Sequence, residues 1–592
     1  MTMVSKLFTT HKRYLILWVV LCSCIGFIPL FRNGFIVWDD LDYILNNPLI
    51  KTLSFKHLLH IFSDNFLGNY HPFTLLSFSF DYLLFGANPT GYHLHNLLLH
   101  LVNSFLLYHL LYRLFNRKML AFLTALLFFI HPMHVESIAW ASERKDLLYS
   151  LYYLLSLIFY VQYRKTNRFK HLVFSLFFFI FSLLSKGQAV SLFFVILLID
   201  YYLHYPGSKK RLIIEKIPYL ILSLLFGIIA INAQTHEGEI NTWVHFSFFE
   251  RVTLAAYSFS SYIFKLLIPF KLSALHPYPH KINNVLPLFY YAFHLVTIAT
   301  VVLLVYLVKT RKRKYVFAIL FFIVNLIFVL QLIPVGDAII SERYSYLSSV
   351  GLFLIIAFFL EKYFVSAGSL FPKIMIAAIV LYFSFMVVIT YNRMSVWKSS
   401  LILFNDILEK YPDSEIALNN RASIRINRGE FDEALQDLNK SISFDSTYFQ
   451  AIYNRAIVKR KKDDMYGSLL DYNRVLRLNP DFVDALYNRG NINKDLHSYT
   501  EAISDYTKVI AKQPSYWQAY NNRALCKIAI KDYPSAIKDL TITIDINPDC
   551  AAAFYLRGLA EAQSGDDGCD DFITAYKKGN TNAQTAIMEY CR

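Results

Sequence analysis

Long apolar runs separated by short polar ones fill the first two thirds of the chain, and near residue 393 the pattern changes to amphipathic helices. The runs at 14–31, 97–115, 118–135, 147–163, 171–187, 189–204, 217–233, 287–308, 315–334, 345–364 and 373–391 are close to the roughly 17–25 residues of a bilayer-spanning helix. They predict an all-α, polytopic membrane domain of about eleven transmembrane helices over 1–393. One further run, 252–270, has Arg251, Lys265, Pro269 and Lys271 in or beside it. It reads as a segment lying on, or dipping into, the outer face rather than crossing.

After a connecting helix at 394–412, the chain repeats itself with a period of 34 residues. Asn-Arg recurs at Asn420-Arg421, Asn454-Arg455, Asn488-Arg489 and Asn522-Arg523. Pro412, Pro480, Pro514 and Pro548 keep the same step, with Ser446 in the gap, and Ala417, Ala451, Ala485, Ala519 and Ala553 form another column. Small residues where two helices touch, with proline closing the second, make the tetratricopeptide pattern. It predicts an α-solenoid over 413–592, with about five helix pairs and a terminal helix.

Composition agrees with the apolar pattern. Charged residues are 17% of the chain, against roughly 25% in soluble domains, which excludes a disordered or disulfide-scaffold chain. The chain holds 58 Lys+Arg and 43 Asp+Glu, of which residues 411–592 hold 23 and 25. The basic excess therefore lies in the apolar part, where it marks cytoplasmic loops and not a nucleic-acid footprint. Those loops hold Arg113, Arg117 and Lys118, then Arg164 to Lys170, Lys209 to Lys216, Lys309 to Lys314, and Lys362 with Lys373. With Lys6, Lys12 and Arg13 also cytoplasmic, the repeat tail falls outside the cytoplasm, in the periplasm of a cell whose inner membrane holds the spans. The first apolar run, with Cys22 and Cys24, reads as a retained span rather than a cleaved leader. Cys569 begins one tail helix and Cys591 ends the next; antiparallel packing would bring those ends together where a disulfide is permitted.

The polar motifs gather on the outer side of this topology. They are Trp38-Asp39-Asp40, His71-Pro72, His93, His131-Pro132, Glu143-Arg144-Lys145-Asp146 and Glu342-Arg343. From the dipeptide alone Asp39-Asp40 is a helix cap, a general base or a metal ligand, and Glu143 to Asp146 is a set of local ion pairs or a charged site.

In their order along the chain, these motifs with Asn69-Tyr70, Phe85-Gly86, Asn96, Tyr344 and the repeat tail resemble the transmembrane-and-tetratricopeptide-repeat (TMTC-type) protein O-mannosyltransferases and their bacterial relatives, of the GT-C class. The resemblance implies transfer of a sugar, mannose first, from a polyprenyl-phosphate donor to a protein or other exported acceptor. It implies Asp39, with Asp40, as the catalytic acid pair. Arg144, Lys145 and Arg343 would hold the donor phosphate, and Glu143, Asp146, Glu342, His71, His93 and His131 would orient the site. A divalent cation, Mg or Mn, on Asp39, Asp40, Glu143 and Asp146 stays open. Asn420, Asn454, Asn488 and Asn522 look like an asparagine ladder that holds an extended acceptor chain by its backbone, or are simply the polar surface of the groove. The alternatives are a membrane-anchored scaffold without catalysis, and a lipid-linked polysaccharide polymerase or ligase.

The charge pattern generates a direct test of topology. Cysteine labelling should find the Arg311 to Lys314 loop cytoplasmic and the chain's end at Arg592 outside. Labelling of that loop from the outside would show that 252–270 crosses.

Overall fold

The computed structural model describes residues 23–204, 208–236, 246–333, 336–366 and 371–591. Most of the expected first span, with Lys6, Lys12, Arg13 and Cys22, lies outside the described residues, as do the side chains of Lys209, Lys362 and Lys373. The chain divides into two compact units, Met1–Pro412 and Asp413–Arg592. It is nearly all helical; the paired strands among the described residues are His276–Pro277 and Ala338–Ile340, antiparallel, with His276 opposite Ile340.

In the first unit, four helices among the described residues are long and apolar enough to cross a membrane: Pro89–Phe115, Lys210–Thr235, Leu288–Lys309 and Ala378–Val396. Lys118–Ile130 and Pro132–Ala139, bent by 55°, make a fifth if taken together. This is fewer than the eleven expected, because several apolar runs do not form one straight helix. Pro132 stops the helix at Ile130. The runs at 171–204 and 315–334 give the shorter helices Phe169–Leu183, Leu192–Leu203 and Arg313–Leu326, with 3-10 turns at Gly187–Ser191 and Ile327–Val329. The run at 252–270 forms the helix Phe248–Leu267, started by a reciprocal Ser247–Glu250 capping box.

The helix Arg144–Thr166 runs through the interior of this unit and carries no charge from Leu147 to Tyr163. From Lys145 to Arg164 it rises about 28 Å at about 1.5 Å per residue, close to the ~30 Å hydrocarbon thickness of a bilayer. Charge clusters lie at both its ends. At the C-terminal end Arg164 pairs with Asp200 at 2.6 Å and Glu215 at 2.7 Å, and Arg211 reaches Glu215 at 2.7 Å. Small residues let the next helix pack closely: Ser156 and Ser175 each donate to the other's backbone carbonyl at 2.8 Å, and Ser182 donates to Tyr149 O at 2.8 Å. Elsewhere Gly351 has no room for a side chain, since a Cβ there would lie 2.4 Å from Ala318 O.

The second unit consists of five antiparallel helix pairs, from Glu415–Asn427 with Phe431–Phe444 to Ala551–Ser564 with Cys569–Lys577, and a terminal helix Asn582–Tyr590. Cys569 and Cys591 are joined by a disulfide, as the packing of these helices predicts. The alanine column is fully buried where the pairs touch. The arginine of each Asn-Arg step, and Arg557 at the same place in the fifth pair, is a staple. Arg421, Arg455, Arg489, Arg523 and Arg557 grip Asp437, Asp471, Asp505, Asp539 and Asp571 on the second helix of the same pair with two parallel bonds of 2.6–2.9 Å. From the second pair onward the same guanidinium also reaches the preceding pair, at Asn439, Asn473, Thr507 and Thr541. One side chain thus ties three helices together.

Arg489→Leu should therefore strip Asp505 of its partner and destabilise its helix pair by about 2 kcal/mol. Hydrogen exchange in Val483–Asp495 and Tyr499–Lys512 should speed up by roughly 30-fold. The exposed Lys508→Ala should leave it unchanged. Equal protection in the Arg489 variant would remove the staple.

Candidate active site at one end of the helix bundle

The second charge cluster forms at the N-terminal end of Arg144–Thr166, from segments that leave helical geometry close to one another. Past Ile130 the chain makes a 3-10 turn at Pro132–His134, a short helix Val135–Ala139 and another 3-10 turn at Ala141–Glu143. Against these pack the 3-10 turn Glu342–Ser345 and the loop around Asp39.

Asp39 and Asp40 have different tasks. Asp40 is fully buried, and its two oxygens accept the backbone N–H of Ile36 at 2.9 Å and of Ser142 at 2.8 Å. Burial pushes its carboxyl up to about 7 against those hydrogen bonds. Its lone pairs are spent on latching the loop at 36–40 to the turn at 141–143, so its expected place in the catalytic pair becomes that of a structural latch. Asp39 is half-buried beside it; its backbone carbonyl accepts the Tyr43 N–H at 2.9 Å, and its carboxylate accepts no hydrogen bond from any described residue. Burial raises its carboxyl, Lys145 lowers it, Glu143 raises it again and Arg343 lowers it. Asp39 is the acid left open for chemistry.

The three expected phosphate cations also separate. Arg144 is wholly buried: it pairs with Asp81 at 2.5 Å, donates to Asn96 Oδ1 at 2.8 Å and to Tyr92 O at 3.0 Å, and stacks on Phe78. With its guanidinium committed to the fold, its assignment to a phosphate is corrected to a core clamp. Arg343 and Lys145 keep 17% and 9% of their side-chain surface exposed. Arg343 is held by Glu136, whose other oxygen accepts the Arg343 backbone N–H at 3.2 Å, and by Glu143 at 3.2 Å, and its guanidinium lies 5.2 Å over the Trp140 ring. Burial works against its charge, but Glu143 and Glu136 hold the guanidinium firmly protonated. Lys145 pairs with Glu143 at 3.2 Å and lies over the Tyr43 ring. For Glu143 burial opposes ionisation, but Arg343, Lys145 and Lys186 overcome it and hold the carboxyl below its usual range.

Two members of the cluster escape a reading by motif. Glu136 anchors Arg343. Lys186 pairs with Asp146 at 2.5 Å, lies over Tyr344, and keeps 14% of its side chain exposed. The signal for Lys186 was present as a single charge in an apolar run, which in a membrane protein marks a functional place.

The other expected orienting residues fall in several places. Glu342 faces away from Arg343, accepting Ser273 N–H at 2.6 Å and meeting His276 Nε2 at 3.3 Å, and so pins the 273–276 segment. His131 accepts Met133 N–H on Nδ1 and donates from Nε2 to Leu266 O at 3.1 Å, which caps the bend at Pro132. His93 lies buried against the backbone of Asn33 and Gly34. Glu342 and His131 thus serve the fold, whereas neither ring nitrogen of His93 has a hydrogen-bond partner among the described residues. His71 stands within the field of Lys145, Glu143 and Lys186. The four acids proposed for a divalent ion do not converge: among the described residues no three His, Cys, Asp or Glu side chains are grouped to hold a metal, and Asp40, Glu143 and Asp146 are engaged as above.

In the repeat unit the asparagines form a connected row. Asn454 donates to Asn419 Oδ1 at 2.8 Å, Asn488 to Tyr453 OH at 2.8 Å, and Asn522 to Tyr487 OH at 3.1 Å and Asn491 Oδ1 at 2.9 Å. At the first step Asn420 Oδ1 faces Asn419 Nδ2 at 3.5 Å. The amide donors of the last three serve the row itself, which leaves their carbonyl oxygens as the groups offered to a ligand.

Comparison with known proteins finds matches in both units. The family model described as "Dolichyl-phosphate-mannose-protein mannosyltransferase" matches residues 72–233, and a tetratricopeptide repeat model matches 483–516. The chain is 26% identical to Protein O-mannosyl-transferase F38B6.6 of Caenorhabditis elegans over 445 residues, 72% of this chain and 61% of that protein. It is 35% identical to human Protein O-mannosyl-transferase TMTC1 over 150 residues, 24% of this chain and 17% of that protein. The chain thus spans less than two thirds of these relatives. Among solved structures, YrrB, titled a TPR protein with an unusual peptide-binding site, is 19% identical with a TM-score of 0.30, covering 31% of this chain and 96% of that one.

The different surroundings of two arginines give a test. Arg144→Ala leaves the buried Asp81 with His95, at 2.7 Å, as its remaining partner, a loss of about 3 kcal/mol, and the protein should accumulate poorly in the membrane. Arg343→Lys keeps the charge but loses the fork, and should accumulate normally while the reaction proposed below slows about 10²-fold. Full activity in an Arg144→Ala protein of normal abundance would overturn the core-clamp assignment.

Proposed function

We propose that this protein transfers a sugar, with mannose as the first candidate, from a polyprenyl-phosphate donor to a hydroxyl of an exported protein. The observation that carries the reading is Asp39: an open carboxylate beside accessible Lys145 and Arg343, at the end of apolar helices. The matched family description and the names of the relatives support the donor and acceptor classes. So does the repeat row, whose free amide oxygens suit the N–H groups of an extended chain.

The chemistry is a single displacement. The acceptor hydroxyl oxygen bonds to the anomeric carbon, the bond from that carbon to the phosphate oxygen breaks, and the electron pair leaves with the lipid phosphate. The hydroxyl proton passes to Asp39, help worth roughly 10²–10⁴-fold in rate. Lys145, Arg343 and Lys186 stabilise the charge that grows on the phosphate, and the acids around them set their positions before the donor arrives. Attack from the side opposite the phosphate inverts the anomeric configuration. We place this site on the extracytoplasmic side of a GT-C-like domain with about eleven apolar crossings, several of them broken at their outer ends. The support is the basic loops at the other end, where Arg164 and Arg211 lie.

Asp39→Asn should abolish transfer with normal membrane abundance, because the Asp39 carboxylate makes no hydrogen bond to a described residue and its backbone bond to Tyr43 N–H is kept. Because burial raises the Asp39 carboxyl, the acid limb of kcat/KM should lie above the ordinary aspartate range, with activity falling as pH drops and the proton occupies the base. Product analysis separates a protein glycosyltransferase from a polysaccharide polymerase. Unchanged transfer by Asp39→Asn would remove the base; a protein that recruits partners but transfers nothing would be a scaffold.

A further inference from the structure

His71 is a buried titratable group, set near the site's cations, that neither the fold nor the displacement step employs. It is 3% exposed, and neither ring nitrogen has a hydrogen-bond partner among the described residues. A buried polar group left so is rare and calls for an occupant. Its place is tightly fixed. Pro72 follows it at the first position of the helix Pro72–Phe85, and the His71 carbonyl accepts the Thr74 N–H at 3.0 Å. Phe73 N–H donates to Leu184 O at 3.2 Å, and Thr74 Oγ1 to Ser185 O at 3.1 Å. Those two bonds hold His71 beside the stretch that ends in Lys186. Its ring lies 5.4 Å from the Tyr43 ring, over which Lys145 lies at 5.2 Å. His71 therefore borders the space between two of the cations assigned to the donor phosphate.

The chemistry of the ring narrows the occupant. Burial pushes the imidazole down to about 3, and Lys145 and Lys186 push the same way against Glu143. A neutral imidazole offers one N–H donor and one lone pair. A phosphate oxygen can use only the donor, and Lys145 and Lys186 already supply that need. A hydroxyl gives and accepts one hydrogen bond, and a sugar carries several of them, one bond away from the phosphate.

We propose that His71 is a specificity-determining residue that binds a ring hydroxyl of the sugar carried on the donor lipid, with the Tyr43 ring as the wall beside it. This deepens the glycosyl-transfer reading and rests on it. Sites that pair a substrate hydroxyl reject analogues lacking it far more strongly than apolar pockets reject a missing methylene.

The test uses the full-length protein in lipid nanodiscs, with polyprenyl-phosphate mannose, glucose and galactose, and then the singly deoxygenated forms of the one it uses best. On the intact donor His71→Phe should lower kcat/KM about 10- to 100-fold, and His71→Asn, which keeps a donor and an acceptor, should recover part of it. One deoxygenated donor should cost the native protein a similar factor and cost His71→Phe nothing further. Where Phe does not fit the site, His71→Ala runs the same cycle. Losses that add at every sugar position, or no loss at all, overturn the proposal and leave only a buried water on His71. If the native protein transfers no sugar from any of the three donors, the glycosyl-transfer reading falls and this inference with it.

Discussion

Burying a charge among apolar helices costs several kcal/mol unless an opposite charge and hydrogen bonds meet it. That cost sorts the polar residues of the first unit. Arg144 is met so completely by Asp81, Asn96 and Tyr92 that nothing remains for a ligand. Arg343, Lys145 and Lys186 are met by Glu136, Glu143 and Asp146 but stay partly accessible. The acids keep Arg343 and Lys145 protonated and hold all three cations in place, and the cations hold Glu143 ionised. Asp39 lies outside this pairing, so its carboxylate keeps lone pairs to lend. The same constraint acts at the far end of Arg144–Thr166, where Arg164, Arg211, Asp200 and Glu215 satisfy one another. One uncharged helix thus separates two charged layers by about the thickness of a hydrocarbon core.

The second unit solves a related problem with one repeated device. Alanines let paired helices touch, and the arginine after each ladder asparagine binds an aspartate across the pair and, from the second pair onward, a polar side chain on the preceding pair. Stability then accrues repeat by repeat, as expected when each unit contacts only its neighbours. The asparagines are freed from that work and form a row whose amide oxygens remain available.

Periodicity carried most of the fold. The 34-residue step located all five helix pairs, because every repeat must solve the same packing problem with the same residues. Apolar length marked the four or five helices long enough to cross a membrane but overcounted them as eleven, since Pro132 and a few buried polar groups break other runs against their hydropathy. The site was legible as a list of motifs and not as a division of labour. Asp39 and Asp40 are adjacent in sequence, as are Arg144 and Lys145, so spacing could not say which member of each pair would be consumed by a backbone N–H or a buried aspartate. Lys186 and Glu136 lacked a motif. Their roles depend on partners 40 and 207 residues away.

The most direct test is a density map of the full-length protein bound to a polyprenyl phosphonate analogue of the donor whose sugar cannot be transferred. The account predicts phosphonate oxygens about 2.7–3.2 Å from nitrogens of Lys145, Lys186 and Arg343, the anomeric carbon facing Asp39, and Arg144 still bound to Asp81. A phosphonate seated at the Arg164 and Arg211 end, or drawn to an Arg144 released from Asp81, would contradict it.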